Sequence, residues 1–304
     1  MKKDFISILD ISREELGELI STALRLKEER RVGIFPPHLS QKTLGMIFEK
    51  SSTRTRISFE VGMYELGGHA LFLNPKDMQL GRGEDIKDTA RVMSRFVSAI
   101  MIRANSHEEV KELAAHADVP VINGLSDKEH PCQILADIMT IVEQLHRTEK
   151  VKVAWVGDGN NVCNSLILSS VLTGMEVRIA CPAGYLPDEQ YIQMAHEKGG
   201  TIIVEEDPIV AVRNADVVMT DTWVSMGHEE ETRQREKVFA RYQVNTALLS
   251  EARPGAIVMH CLPAHRGAEI TDDIIDSKQS VVWDQAENRL HVQKALLLRL
   301  LAGS

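Results

Sequence analysis

The stretch TLGMIFEKSSTRTR, residues 43–56, contains an apolar run that leads directly into a turn rich in hydroxyl groups. The apolar run predicts a buried strand at 43–49, and the helical pattern behind it extends to Gly67. Ser52 and Thr53 are good N-cap candidates for that helix, and Gly67 is a candidate C-cap. A strand that passes at once into a helix is the repeating unit of α/β proteins.

The same alternation recurs along the rest of the chain. Further strands are predicted at 98–102, 119–122, 151–156, 176–180, 201–204, 216–219 and 256–260. Between them apolar residues recur at helical spacing, as in the stripe formed by Leu135, Ile138, Val142 and Leu145. The pattern therefore predicts an α/β fold with mostly parallel sheets.

Length and charge narrow the class of protein. The 304 residues suggest about two domains of roughly 150 residues each. Thirty-five Lys and Arg residues against 44 Asp and Glu residues give a net charge of −9. A mildly acidic chain is a poor candidate for a nucleic-acid binder, although a local arginine cluster can still bind a small anion.

Neither a membrane segment nor a secretory signal is evident. No stretch approaches the ~18–20 consecutive apolar residues of a membrane span, and the N-terminus MKKDF lacks the apolar core of a secretory signal. The cysteines, which form no CxxC pair, are Cys132, Cys163, Cys181 and Cys261. We therefore expect a cytoplasmic protein with no metal site and no cofactor.

A charged segment at 143–152 (EQLHRTEKVK) separates a helical pattern from the next strand and predicts a domain join. The helix from Pro131 to about His146 bridges the join, and proline suits the first turn of a helix. An apolar helix at 291–302 ends the chain. It could close either domain.

The turn at 51–56 places four hydroxyl groups and two arginines, Arg54 and Arg56, at a predicted helix start. Free backbone N–H groups and the positive end of the helix dipole make such a start a phosphate-binding site. Arginine adds bidentate hydrogen bonds that lysine cannot reproduce. The alternative is a capped helix with two solvated arginines.

Other polar residues stand where predicted strands end or helices begin. Arg103 follows the strand at 98–102, where open α/β sheets bind ligands, or it ends that strand in solvent. His130 and Gln133 lie one turn apart at a helix start, where His130 could donate to a carbonyl oxygen or simply begin the helix. Arg289 stands before the predicted terminal helix and could add a positive charge to the anion-binding site.

The turn Gly157-Asp158-Gly159-Asn160-Asn161 follows the strand at 151–156 and superficially suggests a dinucleotide site. Val162 occupies the place of the third glycine in G-x-G-x-x-G, which argues against a nicotinamide cofactor. A glycine turn that presents Asn161 to a small ligand fits better.

Two further polar segments follow predicted strands. Asp221 could pair with an ammonium group, and Ser225 with the backbone near Gly227 could bind a carboxylate, or the segment could be a surface loop. His260 and Cys261 are neighbours, but adjacent strand residues point to opposite faces. Covalent cysteine catalysis is therefore disfavoured.

Taken in order, these segments resemble the aspartate/ornithine carbamoyltransferase family. The motifs, which span essentially the whole chain, are Ser52-Thr53-Arg54-Thr55-Arg56, Gln79 within MQLGRGE, Arg103, His130-Pro131-Cys132-Gln133, Asn161, Asp221 with Ser225-Met226-Gly227, His260-Cys261-Leu262-Pro263, and Arg289. The Asp…Ser-Met-Gly loop and His-Cys-Leu-Pro resemble the ornithine branch.

The resemblance implies two doubly wound parallel-sheet domains joined by interdomain helices. Residues 1–147 would bind carbamoyl phosphate, with the C-terminal helix 288–304 packed back onto them, and residues 148–287 would bind L-ornithine. The resemblance also implies a homotrimer or a multiple of trimers, with Gln79 reaching into a neighbouring subunit's site.

The implied activity is carbamoyl transfer to L-ornithine in arginine biosynthesis, with Arg103, His130 and Cys261 as catalytic residues. The implied carbamoyl phosphate contacts are Ser52, Thr53, Arg54, Thr55, Gln79, Arg103, His130, Pro131, Cys132, Gln133, Cys261, Leu262 and Arg289. The implied L-ornithine contacts are Asn161, Asp221, Ser225 and Met226. The alternatives are transfer to another amine such as putrescine, catabolic use of citrulline, and a catalytically silent sugar- or nucleotide-binding protein.

Overall fold

The computed structural model describes residues 3–80, 83–224 and 232–302. The chain forms two compact units: unit 1 is Met1–Met139 with Glu287–Ser304, and unit 2 is Thr140–Ala286. The chain leaves unit 1 within one helix and returns within another. The join predicted at 147/148 stays a prediction.

Unit 1 is built on a four-stranded parallel sheet with the order β2-β1-β3-β4. Its elements are α1 (Arg13–Arg31), β1 (Thr43–Phe48), α2 (Thr53–Glu65), β2 (His69–Leu73), α3 (Ile86–Met93), β3 (Ala99–Arg103), α4 (His107–His116) and β4 (Val121–Leu125). Helix α5 (Pro131–Leu145) carries the chain into unit 2, and α12 (Val282–Leu301) brings it back.

Unit 2 contains a five-stranded parallel sheet with the order β7-β6-β5-β8-β9. Its elements are β5 (Lys152–Val156), α6 (Asn161–Thr173), β6 (Glu176–Ala180), α7 (Glu189–Glu197), β7 (Thr201–Glu205), α8 (Pro208–Val212), β8 (Val217–Thr220), α9 (Thr232–Phe239), α10 (Thr246–Leu249), β9 (Ile257–His260) and α11 (Asp272–Ile275). Among the helices that the structure describes, none combines the length and the apolar character that a membrane span requires.

The predicted α/β fold with parallel sheets is confirmed. Strands β1 and β3 are almost wholly buried, as expected where helices cover both faces of a parallel sheet. Strand β2 was not predicted from the sequence. It is an edge strand of unit 1 whose apolar run, 70–73, is short and contains none of the β-branched residues that marked the predicted strands.

The caps of α2 agree with the sequence to within one residue. Ser52 is the N-cap, and its side chain accepts a hydrogen bond from the backbone N–H of Thr55 at 3.2 Å. At the other end Leu66 is the C-cap, and Gly67 follows it with a φ of 78°. The N–H groups of Gly67 and Gly68 donate to the carbonyls of the last helical turn, which is a Schellman ending.

The predicted start of the terminal helix was wrong. Helix α12 begins at Val282, so Arg289 lies inside the helix and not before it. The side of the first turns that faces the protein is polar: Gln285, Asn288 and Arg289 are each at most 3% exposed. A polar buried face carries no apolar periodicity, which is why the sequence pattern starts only at residue 291.

Candidate active site

The strand order of unit 1 reverses between β1 and β3. Ligands of open parallel sheets bind beside such a switch point, at the carboxyl ends of the strands. Phe48 and Arg103 are the last paired residues of the two strands. The hydroxyl-rich turn follows β1, and Arg103 ends β3, so both predicted anion-binding segments lie at the same switch point.

The predicted residues at the start of α2 differ in burial and in direction. Thr55 is 1% exposed, whereas Thr53 is exposed and Arg54 is half-buried. Arg56 turns to the surface: its guanidinium donates to Glu60 at 2.9 Å and stacks on the ring of Phe72. Arg54 is therefore the arginine of this turn that remains at the switch point.

His130 lies immediately before α5 and is 5% exposed. Burial lowers the pKa of His130 well below its usual value. The positive charges of Arg289, Arg103 and Arg54 lower this pKa further. At neutral pH the ring is therefore neutral, with one nitrogen able to donate a hydrogen bond and the other able to accept one.

Arg289 joins three separate segments of unit 1. Its guanidinium donates to the side-chain oxygen of Gln133 at 2.7 Å and to the hydroxyl of Thr55 at 3.1 Å. The side chains of all three residues are buried. Helix α12 thus brings an arginine, in an orientation fixed by two neutral groups, to the start of α2 and the start of α5.

The first turn of α5 contains Pro131, Cys132 and Gln133. The Gln133 amide nitrogen donates to Asp137 at 2.8 Å, so both ends of this amide are held by the protein. The thiol of Cys132 donates to the Asn123 carbonyl oxygen at 3.4 Å, and burial raises its pKa to about 12. Cys132 is therefore a protonated packing residue at neutral pH.

Gln79 is exposed on the loop that follows β2. Within the chain, its carbonyl oxygen accepts a hydrogen bond from the N–H of Glu84 at 3.1 Å.

The strand order of unit 2 reverses between β5 and β8. Asp221 follows β8 and is 6% exposed. One of its oxygens accepts from Asn160 at 2.7 Å, and the other accepts from the thiol of Cys261 at 2.9 Å. These hydrogen bonds fix the carboxylate at the carboxyl ends of the central strands, where the sequence predicted an ammonium-binding group.

Asn160, which was not among the predicted site residues, binds Asp221 directly. Asn160 is the N-cap of α6: its side-chain oxygen accepts from the N–H groups of Val162 and Cys163 while its nitrogen donates to Asp221. Asn161 is the first residue of the helix and is half-buried. The signal that could have found Asn160 is the preference for asparagine at N-caps.

The two glycines of the turn after β5 have packing roles. A Cβ at Gly159 would lie 2.1 Å from the backbone nitrogen of Pro187, so only glycine fits there. Gly157 has a φ of 136°, which side chains rarely permit. Since Asn160 already caps the first N–H groups of α6, this turn is not a pyrophosphate cradle.

His260 does not activate the neighbouring thiol. Its Nε2 lies 3.1 Å from the carboxylate of Glu269, and its Nδ1 accepts from the N–H of Leu262 at 2.9 Å. Leu262 has a φ of 59°, a left-handed conformation that costs a non-glycine residue roughly 1–2 kcal/mol. The hydrogen bond to His260 helps to hold this conformation.

Asp221, His260 and Cys261 bring possible metal-binding atoms within 4.8 Å of one another. Each of these atoms also has a protein partner described above, so a metal would have to displace those hydrogen bonds. Two predicted L-ornithine contacts, Ser225 and Met226, lie outside the described residues.

Comparison with known proteins gives the family. The model for the carbamoyl-P binding domain of aspartate/ornithine carbamoyltransferases matches residues 3–143, and the model for the Asp/Orn binding domain matches residues 149–300. The chain belongs to the aspartate/ornithine carbamoyltransferase family. The resemblance inferred from the motifs is confirmed.

Relatives in this family match the chain from end to end. The ornithine carbamoyltransferase of Methanospirillum hungatei is 73% identical over 99% of this chain and 100% of the relative. That of Methanoculleus marisnigri is 59% identical over 100% of this chain and 98% of its own. Among solved structures, ornithine carbamoyltransferase from Pyrococcus furiosus is 52% identical, with a TM-score of 0.96 over 100% of this chain and 98% of that one.

Proposed function

We propose that this chain transfers the carbamoyl group of carbamoyl phosphate to the δ-amine of L-ornithine, giving L-citrulline and phosphate in arginine biosynthesis. The observation that carries the proposal is geometric: at the switch point of unit 1, buried Arg103 ends β3, and Arg289 binds both Thr55 at the start of α2 and Gln133 in the helix that buried His130 precedes. Relatives with this activity in their names support it over the whole length of the chain.

Unit 1 binds the phosphate end of the donor substrate. The start of α2 supplies backbone N–H groups, the hydroxyls of Ser52 and Thr53, and the guanidinium of Arg54. Arg289, held against Thr55, adds a second guanidinium of fixed orientation. A phosphate dianion matches this combination of positive charge and directed donors.

The carbonyl oxygen of carbamoyl phosphate is bound by Arg103, His130 and Thr55. When the amine attacks, the carbon–oxygen π electrons move onto this oxygen, and donors already in place stabilise the growing charge. The neutral imidazole of His130 donates its one N–H to this oxygen and keeps its other nitrogen as an acceptor. Gln133 orients the carbamoyl NH2 through its amide oxygen, which has two lone pairs and uses one for Arg289.

Unit 2 binds L-ornithine. The Asp221 carboxylate pairs with the α-ammonium group, and Asn161, Ser225 and Met226 complete the amino-acid pocket. The neutral δ-amine attacks the carbamoyl carbon, the tetrahedral intermediate collapses, and the bond to the phosphate oxygen breaks. The departing phosphate accepts the proton that the amine gives up. Cys261 and Leu262 lie beside the reacting amine, and the thiol forms no covalent bond.

The test is a colorimetric assay of product formed from each amine at fixed carbamoyl phosphate. We expect kcat/KM to be highest for L-ornithine, much lower for putrescine and undetectable for aspartate. Putrescine lacks the carboxylate, and each buried polar group left unpaired costs about 1–3 kcal/mol, roughly 5- to 150-fold. If putrescine equals L-ornithine, the roles given to Asp221, Ser225 and Met226 are wrong and putrescine transfer replaces this proposal.

The proposal extends to a homotrimer, or a multiple of trimers, in the cytoplasm. Exposed Gln79 is available to a neighbouring subunit, and all four cysteines are free thiols, as in a reducing compartment. Mixing two inactive variants, Gln79→Ala and Arg54→Lys, tests a shared site. Hybrid oligomers should regain activity, and a mixture that stays inactive after subunit exchange would contradict the shared site.

A further inference from the structure

Behind Arg289, on the same helix, lies a buried amide that none of the site motifs includes. Gln293 is one turn further along α12 and fully buried. In the amide orientation that satisfies its neighbours, its oxygen accepts from Nη2 and Nε of Arg289 at 3.1 and 3.2 Å. Its nitrogen donates to the hydroxyl of Ser58 at 2.5 Å.

The far end of this connection is also fixed. Ser58 lies on α2, is 7% exposed and donates to the carbonyl oxygen of Thr55 at 3.2 Å. Gln293 therefore connects the Nε edge of the Arg289 guanidinium to the first turn of α2. That turn contains the proposed phosphate-binding hydroxyls.

Gln293 is uncharged, and this matters as much as its position. A glutamate at 293 could accept the same two hydrogen bonds from Arg289, although it could not donate to Ser58. It would bind the guanidinium more strongly, because hydrogen bonds between charged groups are stronger than neutral ones. It would also cancel the positive charge of Arg289. An amide fixes the direction of the guanidinium and leaves its charge for an anion.

We propose that Gln293 is a positioning residue that orients Arg289 toward the phosphate of carbamoyl phosphate without neutralising it. The proposal rests on the function proposed above, in which Arg289 contacts that substrate. Gln293 itself touches no substrate. Its effect therefore has to depend on the presence of the arginine.

The first test replaces Gln293 with Met, which has a similar size but no hydrogen-bonding amide. We expect Gln293→Met to raise both the KM for carbamoyl phosphate and the Kd for inorganic phosphate, measured by calorimetry, about tenfold, with the KM for L-ornithine changed less than about twofold. Val292→Ala is the matched control: it opens a cavity at a fully buried neighbour on α12 and should lower the melting temperature without this effect. Equal effects of the two variants would overturn the proposal.

The second test is a double-mutant cycle with Arg289→Lys. A lysine ammonium is a point charge without a planar fork, so Gln293 cannot orient it as it orients the guanidinium. In that background Gln293→Met should change the phosphate Kd less than about twofold. An undiminished effect would mean a general structural role and would overturn the proposal. Gln293→Glu should weaken phosphate binding more than Gln293→Met does, and phosphate binding as tight as in the unmodified chain would overturn it as well.

These experiments distinguish a failure of the proposed carbamoyl transfer from a failure of the role proposed for Gln293. If the unmodified chain forms no citrulline, the proposed function is wrong, yet the calorimetric cycle with inorganic phosphate still decides the role of Gln293. If Arg289→Lys alone leaves the phosphate Kd unchanged, Arg289 does not meet the anion, and the proposal for Gln293 fails with it.

Discussion

Replacing Glu129 with Gln should stabilise the protein in alkaline solution much more than in acid. Glu129 precedes His130 and is 3% exposed, and one of its carboxyl oxygens has no hydrogen-bond partner among the residues that the structure describes. Burial and the negative charge of Asp10 raise its pKa to about 8, although hydrogen bonds from Ser7 and the N–H of Ile8 oppose the shift. The folded chain therefore keeps a proton that the unfolded chain has lost.

The sign and size of the effect follow from this difference. The unfolded carboxyl titrates near 4.5, so folding takes up a proton between about pH 4.5 and 8, and the folded state becomes less stable as pH rises through that window. A difference of about 3.5 pKa units corresponds to about 5 kcal/mol. Gln cannot ionise, so Glu129→Gln avoids the whole of this loss.

Urea unfolding at several pH values measures the effect. We expect Glu129→Gln to exceed the unmodified chain by about 3–5 kcal/mol in free energy of unfolding at pH 8.5 and by about 1 kcal/mol at pH 5. Glu112→Gln, an exposed carboxylate on α4, is the control and should stay within about 0.5 kcal/mol at every pH. If the difference in free energy of unfolding between Glu129→Gln and the unmodified chain does not change with pH, the reasoning is refuted.

Three further predictions concern the candidate site. Arg54→Lys should reduce citrulline formation by about 10²-fold or more at an unchanged melting temperature, because lysine loses the bidentate contact, and near-normal turnover would contradict the phosphate-binding role. Cys261→Ala should lose at most about 100-fold in kcat, the cost of one hydrogen bond to the charged Asp221, whereas a nucleophile would lose about 10⁴-fold and leave a carbamoyl-thioester visible by mass spectrometry. Asn160→Ala should raise the KM for L-ornithine and lower stability by about 1 kcal/mol, and a change in stability alone would separate its capping role from its hold on Asp221.

The sequence predicted those parts of the fold that apolar burial produces. Strands β1 and β3 are continuous apolar runs because helices cover both of their faces, so their positions could be predicted closely. Strand β2 was missed although residues 70–73 are all apolar, because this short run contains no β-branched residue. A short apolar run without β-branched residues cannot be told from part of a helix by its apolar pattern alone.

Those parts of the candidate site that consist of a single motif on a single helix or strand could be predicted from the sequence. Ser52 to Thr55 cap a helix directly after a buried strand, and both features are local. Contacts between distant segments were not predictable in this way. Arg289 and Thr55 are far apart in the chain, and only the packing of α12 on α2 brings the guanidinium to the hydroxyl.

Helix α12 shows why a polar buried face is hard to predict and why it matters. Asn288 accepts from Lys27, Gln293 contacts Ser58, and Lys294 pairs with Glu65 at 2.7 Å. From the sequence, polar residues such as Asn288, Gln293 and Lys294 would be expected at the surface. In the structure each of these three side chains of α12 is at most 2% exposed. Burying them is tolerable only because each has a partner, since an unpaired buried polar group costs about 1–3 kcal/mol.

An apolar face would pack α12 against α2 with less need for exact placement, because hydrophobic contact has no direction. Directed hydrogen bonds instead fix the rotation and the height of the helix. The consequence lies at Arg289, whose guanidinium has to meet Thr55 and Gln133 at the same time. The polar face of α12 therefore sets the position of one charge, and this requirement explains why residues that weaken the sequence signal of the helix occupy its buried side.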